Sequence, residues 1–393
     1  MRRKIVVLGS TGSIGRQTLE VARALPDELE ILALSADENA AALLEQAREF
    51  RPAYLGIRDT AKAALLETAG AEVVTGEDAA AVLAALPEAD IVVNGVSGFA
   101  GLTPLLSALE AKKTVALANK ESIVCAHELV EAALLKGGRI IPVDSEQSAL
   151  YQCLQCGESR EVSRLLLTAS GGPFRTYTKE QLARVTAADA LHHPTWQMGK
   201  KVTIDSASLF NKGLEVMEAA YLFHLPGEKI EVLIHPESVV HSLVEFADGS
   251  TIAQLSAPDM RLPIQYALML TERRAAGFGR LDLAKAGALR FEAPDFDRFP
   301  ALPLAYAALK EGGTLPIAYN GANEIAAALF LEGKLGFLDI PVLVEHAMAK
   351  IELGKPQTLS DVLAIDAAAR RLALEKAAGM DSHMADKIER KGT

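Results

Sequence analysis

Asp144, Ser145 and Glu146 place two carboxylates two positions apart, directly after the apolar stretch Ile140-Ile141-Pro142-Val143. If this is a strand running into a loop, both acids turn to one side, because side chains two apart in extended backbone share a face. Like charges held together need a cation, a proton or hydrogen-bond donors to offset them. Oxygen ligands of this kind suit Mg²⁺ or Mn²⁺, and two solvated acids in a loop are the plain alternative. A second polar cluster runs through Asp205-Ser206-Ala207-Ser208 and Asn211-Lys212-Gly213-Leu214-Glu215. Its Ser, Asn and Lys donors are of the sort that hold a phosphate. Glu215 falls three after Lys212, on one helical face, as an ordinary ion pair or as a third acid for the Asp144/Glu146 site. Cys153 and Cys156 have redox or zinc spacing, but Cys125 is the only other cysteine and no second pair completes a zinc site.

These groups need elements to position them. Ile5 to Leu8 reads as a buried strand, followed at once by Gly9-Ser10-Thr11-Gly12-Ser13-Ile14-Gly15 and a helical pattern from Gln17 to Ala24. Strand, glycine-rich turn and helix form the context of a dinucleotide-binding turn, with glycines admitting a pyrophosphate and the helix N-terminus supplying N–H groups. A tight turn between a core strand and helix is the simpler reading. The second strand, Glu30 to Ser35, ends in Ala36-Asp37-Glu38-Asn39. An acid at this strand end accepts hydrogen bonds from an adenosine ribose, whereas a 2′-phosphate calls for a nearby Arg or Lys. With two acids and no base adjacent in sequence, the chemistry favours NADH over NADPH; Asp37 as a helix cap is the alternative. Further strands at 54–57, 72–74, 91–94 and 114–118 alternate with Ala-rich helices, which predicts a parallel sheet covered on both faces. Lys120 and Glu121 follow the last of these, where ligands bind beyond strand carboxyl ends.

After Cys156 the pattern changes. Ser163 to Ala169 is strand-like and leads into Ser170-Gly171-Gly172-Pro173-Phe174, a turn able to offer N–H groups to an anion. The segment 191–200 holds the only Trp, Trp196, among polar residues, Pro and Gly, and is expected to be a lid over a ligand. His192 and His193 are adjacent and point apart, so one of them suits a substrate hydrogen bond better than both suit a metal. Strands at 230–235, 242–246 and 251–255 make the sheet of a middle α+β domain, with His235 and His241 as satisfied sheet histidines. The expected division is 1–146 for dinucleotide binding, 147–270 for metal and substrate, a linker at 271–303, and a helical bundle at 304–393.

The 393 residues suffice for such a multi-domain α/β chain, and a net charge of −11 disfavours a broad nucleic-acid or anionic-membrane surface. Three cysteines, no secretory signal pattern and no long apolar span lead to a cytoplasmic expectation.

Gly9 to Gly15, Ala118-Asn119-Lys120-Glu121-Ser122, Pro142 to Glu146, Ser170 to Phe174, His193 to Gly199 and Asn211 to Glu215 occur in this order. Together they closely resemble the 1-deoxy-D-xylulose 5-phosphate reductoisomerase family, and the likeness extends through Ile234 to Ser238, Asn320 to Glu324 and Asp361 to Leu363. The resemblance implies a Rossmann-like N-terminal domain and a metal- and NAD(P)H-dependent rearrangement and reduction of 1-deoxy-D-xylulose 5-phosphate by a homodimer. It implies Asp144, Glu146 and Glu215 as metal ligands, with Lys120, Ser145 and Glu146 around the reacting oxygens and Lys120 and Glu146 catalytic. Ser170, His193, Ser206, Asn211 and Lys212 match the phosphate pocket, and Trp196 and Met198 the lid. Thr11, Gly12, Ser13, Ile14, Asn119, Glu121 and Gly199 match cofactor positions, which Asp37, Glu38 and Asn39 extend at the adenosine end. Two departures stand out: Gln147 in place of the usual His, and the acids at 37–38 in a family that uses NADPH. Another dehydrogenase of phosphorylated substrates would lack the acid set, and a non-catalytic dinucleotide sensor would need neither acids nor phosphate pocket.

Overall fold

A computed structural model of the chain describes residues 2–192, 196 and 198–389, with side chains through 380. Its first layer is a parallel sheet of β1 (Arg3–Leu8), β2 (Leu29–Ala36), β3 (Tyr54–Ile57), β4 (Glu72–Thr75), β5 (Ile91–Asn94), β6 (Thr114–Leu117) and β7 (Arg139–Pro142). The strand order is β4-β3-β2-β1-β5-β6-β7. Ile5 and Val7 of β1 join one apolar core, and Val6 and Leu8 another on the opposite face. A strand covered on both sides must be apolar at every position, which is why Ile5 to Leu8 is an uninterrupted run. The order reverses between β1 and β5, and that crevice is where ligands bind in such sheets. Gly9 sits there with φ +72°, and a Cβ on it would stand 2.9 Å from the Gly95 carbonyl oxygen.

The second sheet has the order β11-β10-β8-β9, built from β8 (Val162–Ala169), β9 (Ile230–Ile234), β10 (Val240–Phe246) and β11 (Thr251–Leu255). β10 is antiparallel to both β8 and β11, and β8 and β9 are parallel. The helices that matter for the site are α1 (Ser13–Ala24), α2 (Ala40–Phe50), α3 (Lys120–Cys125), α4 (Ser145–Cys153), α5 (Lys200–Ser208) and α6 (Phe210–Phe223). They are followed by α7 (Arg261–Leu268) and a C-terminal set, α8 (Ala301–Glu311), α9 (Thr314–Leu331), α10 (Ile340–Lys350) and α11 (Leu359–Glu389).

Two segments behave differently from the sequence pattern. α7, expected with the middle unit, buries Ile264, Ala267 and Leu268 in the core of the first sheet. The stretch expected as a linker hydrogen-bonds to the edge of β9, through Ile234 and Glu292 at 2.8 and 2.9 Å. Neither contact follows from local periodicity, because each depends on a partner far away in the chain.

α6 is the central post. Its apolar side reaches the C-terminal core through Phe210, Leu214 and Met217, which pack in one cluster with Tyr319 of α9 and Ala305 of α8. Gly213 allows this approach: a Cβ there would lie 2.1 Å from the Tyr319 hydroxyl oxygen and 2.9 Å from the Ala305 methyl carbon. Gly213 is flanked by Lys212 and Glu215, so the packing of the bundle and the placement of the polar cluster share one helix. Gly213→Ala is expected to destabilise the protein by about 1–3 kcal/mol through overpacking. Thermal unfolding should show a lower midpoint than for Gly227→Ala, where the nearest atom to a Cβ is the end of the Leu309 side chain at 3.0 Å and the next residue, Tyr306, is 3.9 Å away.

Candidate active site

Asp144 and Glu146 do converge, but through a helix start rather than extended strand. β7 ends at Pro142, Asp144 occupies the N-cap of α4 with φ −50° and ψ 133°, and Glu146 lies in the first turn. The Asp144 carboxylate makes no capping hydrogen bond. It ion-pairs instead with Lys120 of α3. Glu215, projecting from α6, completes the group: carboxylate oxygens of Asp144, Glu146 and Glu215 all lie within 4.8 Å of one another. Hard oxygen donors at this spacing fit a small divalent cation after a modest inward movement, since Mg²⁺–oxygen distances are about 2.0–2.1 Å.

Two lysines interleave with the acids. Lys120 Nζ donates to Glu215 Oε1 at 2.9 Å and to Asn211 Oδ1 at 3.1 Å. Lys212 Nζ donates to Glu146 Oε1 at 3.0 Å, to Glu215 and to the Thr168 carbonyl. Burial opposes the charge on Lys120, but Asp144 and Glu215 outweigh it and hold the ammonium well above the ordinary lysine range. The same balance raises Lys212, with Glu146 and Glu215 as the opposing charges. Burial lifts Asp144 above the usual carboxylate range despite Lys120. Glu146 is held below that range: Lys212 and hydrogen bonds from Asp144 and Ser145 overcome burial and the Glu215 charge. Ser145 Oγ donates to Glu146 Oε2 at 2.6 Å. Gln147 is fully buried and donates to the Glu215 carbonyl at 2.9 Å, so it braces the backbone of α6.

The expected phosphate residues divide. Asn211 and Lys212 are bound into the acid cluster, Asn211 Nδ2 donating to Glu215. Ser170 and Ser206 lie on neighbouring segments, since a Cβ at Gly172 would stand 2.8 Å from the Ser206 carbonyl oxygen. His193 lies outside the described residues. Trp196 is half-buried, its ring 6.1 Å from that of His241. Together with Ser145, Ser148 and Ser256 they line a cavity of about 270 Å³. Met198 is half-buried, and Gly199 is the N-cap of α5, its carbonyl accepting from Thr203 Oγ1 at 3.0 Å.

On the first sheet, Thr11 to Ile14 form the turn at the β1/β5 crevice. Gly12 caps α1 without a side-chain hydrogen bond, so no capping group claims the N–H groups of the first turn. Asn119 is buried and caps α3, accepting from Ser122 N at 3.0 Å and donating to the Val96 and Gly98 carbonyls at 2.8 and 2.7 Å. Glu121 is buried 3.6 Å from Lys201. Asn39 caps α2, accepting from Ala42 N at 3.1 Å; Asp37 does not. The absence of a base beside Asp37 and Glu38 holds only along the sequence. In space, Arg58 at the end of β3 pairs with both acids.

Comparison with known proteins decides the family. Models described as 1-deoxy-D-xylulose 5-phosphate reductoisomerase match residues 5–127 and, for the C-terminal domain, 140–223; a model of the DXP reductoisomerase C-terminal domain matches 255–372. The reductoisomerase of Heliobacterium modesticaldum is 52% identical over 383 residues, covering 96% of this chain and 98% of that one. That of Chlorobium chlorochromatii is 51% identical, covering 94% and 98%. The chain belongs to the 1-deoxy-D-xylulose 5-phosphate reductoisomerase family. The reductoisomerase structure from Zymomonas mobilis in complex with NADPH superposes with a TM-score of 0.91 at 42% identity, covering 96% of this chain and 99% of that one. A further reductoisomerase structure, in complex with NADPH, fosmidomycin and magnesium, gives 0.91 at 38% identity, covering 96% and 99%.

Three side chains near the site are not marked as part of it by local sequence pattern. Arg58 is 21 residues from Asp37 and is brought there only by sheet pairing. His241 lies in β10 as a sheet histidine, and burial lowers its pKa, but its side chain also lines the cavity. His235, by contrast, is the satisfied core histidine expected, its Nδ1 bonding the Arg290 carbonyl and its Nε2 accepting from Val239 and Val240 N–H groups. Glu218 was legible in principle, lying one helical turn beyond Glu215. It is fully buried, and neither carboxyl oxygen has a hydrogen-bond partner among the described residues. Burial, reinforced by Asp144, pushes its pKa well above the ordinary 4.5. A folded-state pKa raised this way makes the native state lose stability as pH climbs above the unfolded value. Glu218→Gln removes that loss. Its unfolding midpoint is expected within about 2 °C of the parent near pH 5 and above the parent at pH 8. A midpoint several degrees lower at both pH values would mean an ionised Glu218 that Lys120 needs.

Proposed function

We propose that the chain converts 1-deoxy-D-xylulose 5-phosphate to 2-C-methyl-D-erythritol 4-phosphate, by rearranging the carbon skeleton and then reducing it, in non-mevalonate isoprenoid synthesis. Family membership supports the reaction. The observation that carries it to this site is the buried union of three carboxylates and two ammonium groups beside a dinucleotide-type crevice.

In this reading Asp144, Glu146 and Glu215 hold Mg²⁺ or Mn²⁺. The bound ion supplies Lewis acidity at the ketone and hydroxyl oxygens of the substrate. Lys120, held protonated among carboxylates, can pass or hold a proton between those oxygens. The Ser145 hydroxyl, already turned to Glu146, orients the same group. Lys212 balances Glu146 and Glu215 and brings positive charge toward the substrate phosphate, for which Ser170, His193, Ser206 and Asn211 are the proposed hydrogen-bonding partners. Trp196 and Met198 cover the reacting centre with His241 as the opposite wall, excluding water from a reactive aldehyde. Thr11 to Ile14, Asn119, Glu121 and Gly199 frame the cofactor site, with Asn119 and Glu121 acting by fixing the backbone around it. A reduced dinucleotide supplies the hydride when bound; the relatives whose structures hold NADPH and magnesium support NADPH and a divalent cation as the ligands.

The matching division assigns 1–146 with α7 to the cofactor, 147–260 to metal and substrate, and the helices from Ala301 onward to a supporting bundle. A cytoplasmic homodimer is the assembly that family membership implies. No helix among the described residues is long and apolar enough to cross a membrane.

Incubation with 1-deoxy-D-xylulose 5-phosphate, Mn²⁺ and reduced dinucleotide should oxidise the dinucleotide, and a chelator should stop the reaction reversibly. Glu215→Gln should lower kcat/KM by at least about 100-fold, roughly 2.7 kcal/mol of transition-state stabilisation. Turnover that survives full chelation, or a folded Glu215→Gln protein of parental activity, would contradict the assignment.

A further inference from the structure

Just beyond β5 the chain runs through the loop 96–101, whose backbone is held mainly by side chains. Asn94 Nδ2 donates to the Gly101 carbonyl at 2.9 Å, and Asn119 Nδ2 to the Val96 and Gly98 carbonyls at 2.8 and 2.7 Å. Asn94 ends β5 and Asn119 lies just past β6, so both clamps belong to the first sheet. A third comes from the C-terminal bundle. Glu324 of α9 accepts from Phe99 N at 3.3 Å, across 225 residues of chain. The backbone lies hard against this carboxylate: Gly98 has φ +67°, and a Cβ there would stand 3.0 Å from Glu324 Oε1. Glu324 is itself oriented from α11. Its Oε2 accepts from Arg370 Nη2 at 2.6 Å, and Arg370 Nε donates to Asp366 Oδ2 at 2.6 Å. Phe99 and Leu102 complete the contact by packing with Cys125 of α3, Ile317 of α9 and Val362 of α11.

We propose that Glu324, oriented by Arg370, is a positioning residue for dinucleotide binding: from the C-terminal bundle it holds the loop 96–101 in the shape that receives the hydride-bearing half of the cofactor. The inference rests on the dinucleotide reading of Thr11 to Ile14 given above. At its start the loop adjoins the glycine turn, since Gly95 N donates to the Leu8 carbonyl at 3.1 Å and a Cβ on Gly9 would stand 2.9 Å from the Gly95 oxygen. Farther along it is bonded to Asn119, the residue before Lys120. A pyrophosphate on the glycine turn and a hydride delivered near Lys120 and the acids require the cofactor to pass along this loop. Gly95, Gly98 and Gly101 give it little side-chain packing and much backbone freedom, so its shape depends on the clamps. An unclamped loop reaches the binding-competent shape only part of the time, and apparent affinity falls by that fraction. The planar guanidinium of Arg370, with its fixed donor directions, sets the Glu324 carboxylate in the orientation that Phe99 N needs.

Equilibrium binding of NADPH to the full chain, read by nucleotide fluorescence without substrate, tests this beside calorimetric Mn²⁺ titration of the same proteins. Glu324→Ala is expected to weaken NADPH about tenfold and to leave Mn²⁺ affinity within about twofold of the parent. Arg370→Met keeps the Glu324 carboxylate but frees it, and should weaken NADPH several-fold by the same route. Arg370→Lys should recover most of that loss. If Glu324→Ala fails to fold, the comparison of Arg370→Met with Arg370→Lys decides alone. Folded Glu324→Ala or Arg370→Met protein that binds NADPH as the parent does would overturn the inference. So would a parallel loss of NADPH and Mn²⁺, the mark of general damage to the fold. A parent that binds Mn²⁺ but no NADPH would overturn the dinucleotide reading, and the inference with it.

Discussion

The buried alternation of Lys120 and Lys212 with Asp144, Glu146 and Glu215 is the interaction on which the rest of the structure depends. Five charges are drawn from α3, the start of α4 and α6. Removing any one leaves a partner uncompensated in a poorly solvated place, at a cost of about 3–5 kcal/mol. The cluster therefore binds the first sheet, which carries α3 and α4 at its strand ends, to α6 and the second sheet. The same arrangement is chemically useful, because ammonium groups keep neighbouring carboxylates close enough to chelate a cation. Stability and chemistry rest on the same atoms.

The remaining architecture supplies position. α6 carries Asn211, Lys212, Glu215 and Glu218 along one side, and its other side is fixed against the C-terminal helices through Phe210, Leu214 and Met217. Gln147 ties α4 to the α6 backbone from within. On the far side of the crevice, the first sheet sets the glycine turn against Gly95 and carries the acids and Arg58 at its outer edge. The C-terminal bundle thus acts on the site by holding α6, and also α5: Asn323 Nδ2 of α9 donates to Asp205 at 2.9 Å, and Asp205 pairs with Lys201 at 2.7 Å.

Much of this was legible in the sequence, for physical reasons that also explain the failures. Continuous apolar runs such as Ile5 to Leu8 announce strands buried on both faces, and the glycine turn after them announces the crevice. The acid triad could be assembled because Asp144 and Glu146 are local and Glu215 follows a recognisable polar motif. Their convergence was inferred from strand alternation, whereas the structure achieves it through a helix N-terminus; the local pattern admits both. Lys212 was read as a phosphate donor because Lys among Ser and Asn is ambiguous until the third dimension shows which anion is nearest. Arg58 and α7 were missed for a common reason: each owes its role to a contact between distant segments, and hydrophobic or charge periodicity carries no information about such partners.

The central claim is that the acid triad is a divalent-cation site held in readiness by two lysines. Calorimetric titration of Mn²⁺ into the parent and into Asp144→Asn tests it most directly. One Mn²⁺ per chain in the parent and a loss of at least about tenfold in affinity in Asp144→Asn, with folding retained, is the result this account requires. Equal binding by both proteins, or no specific site in the parent, would contradict it.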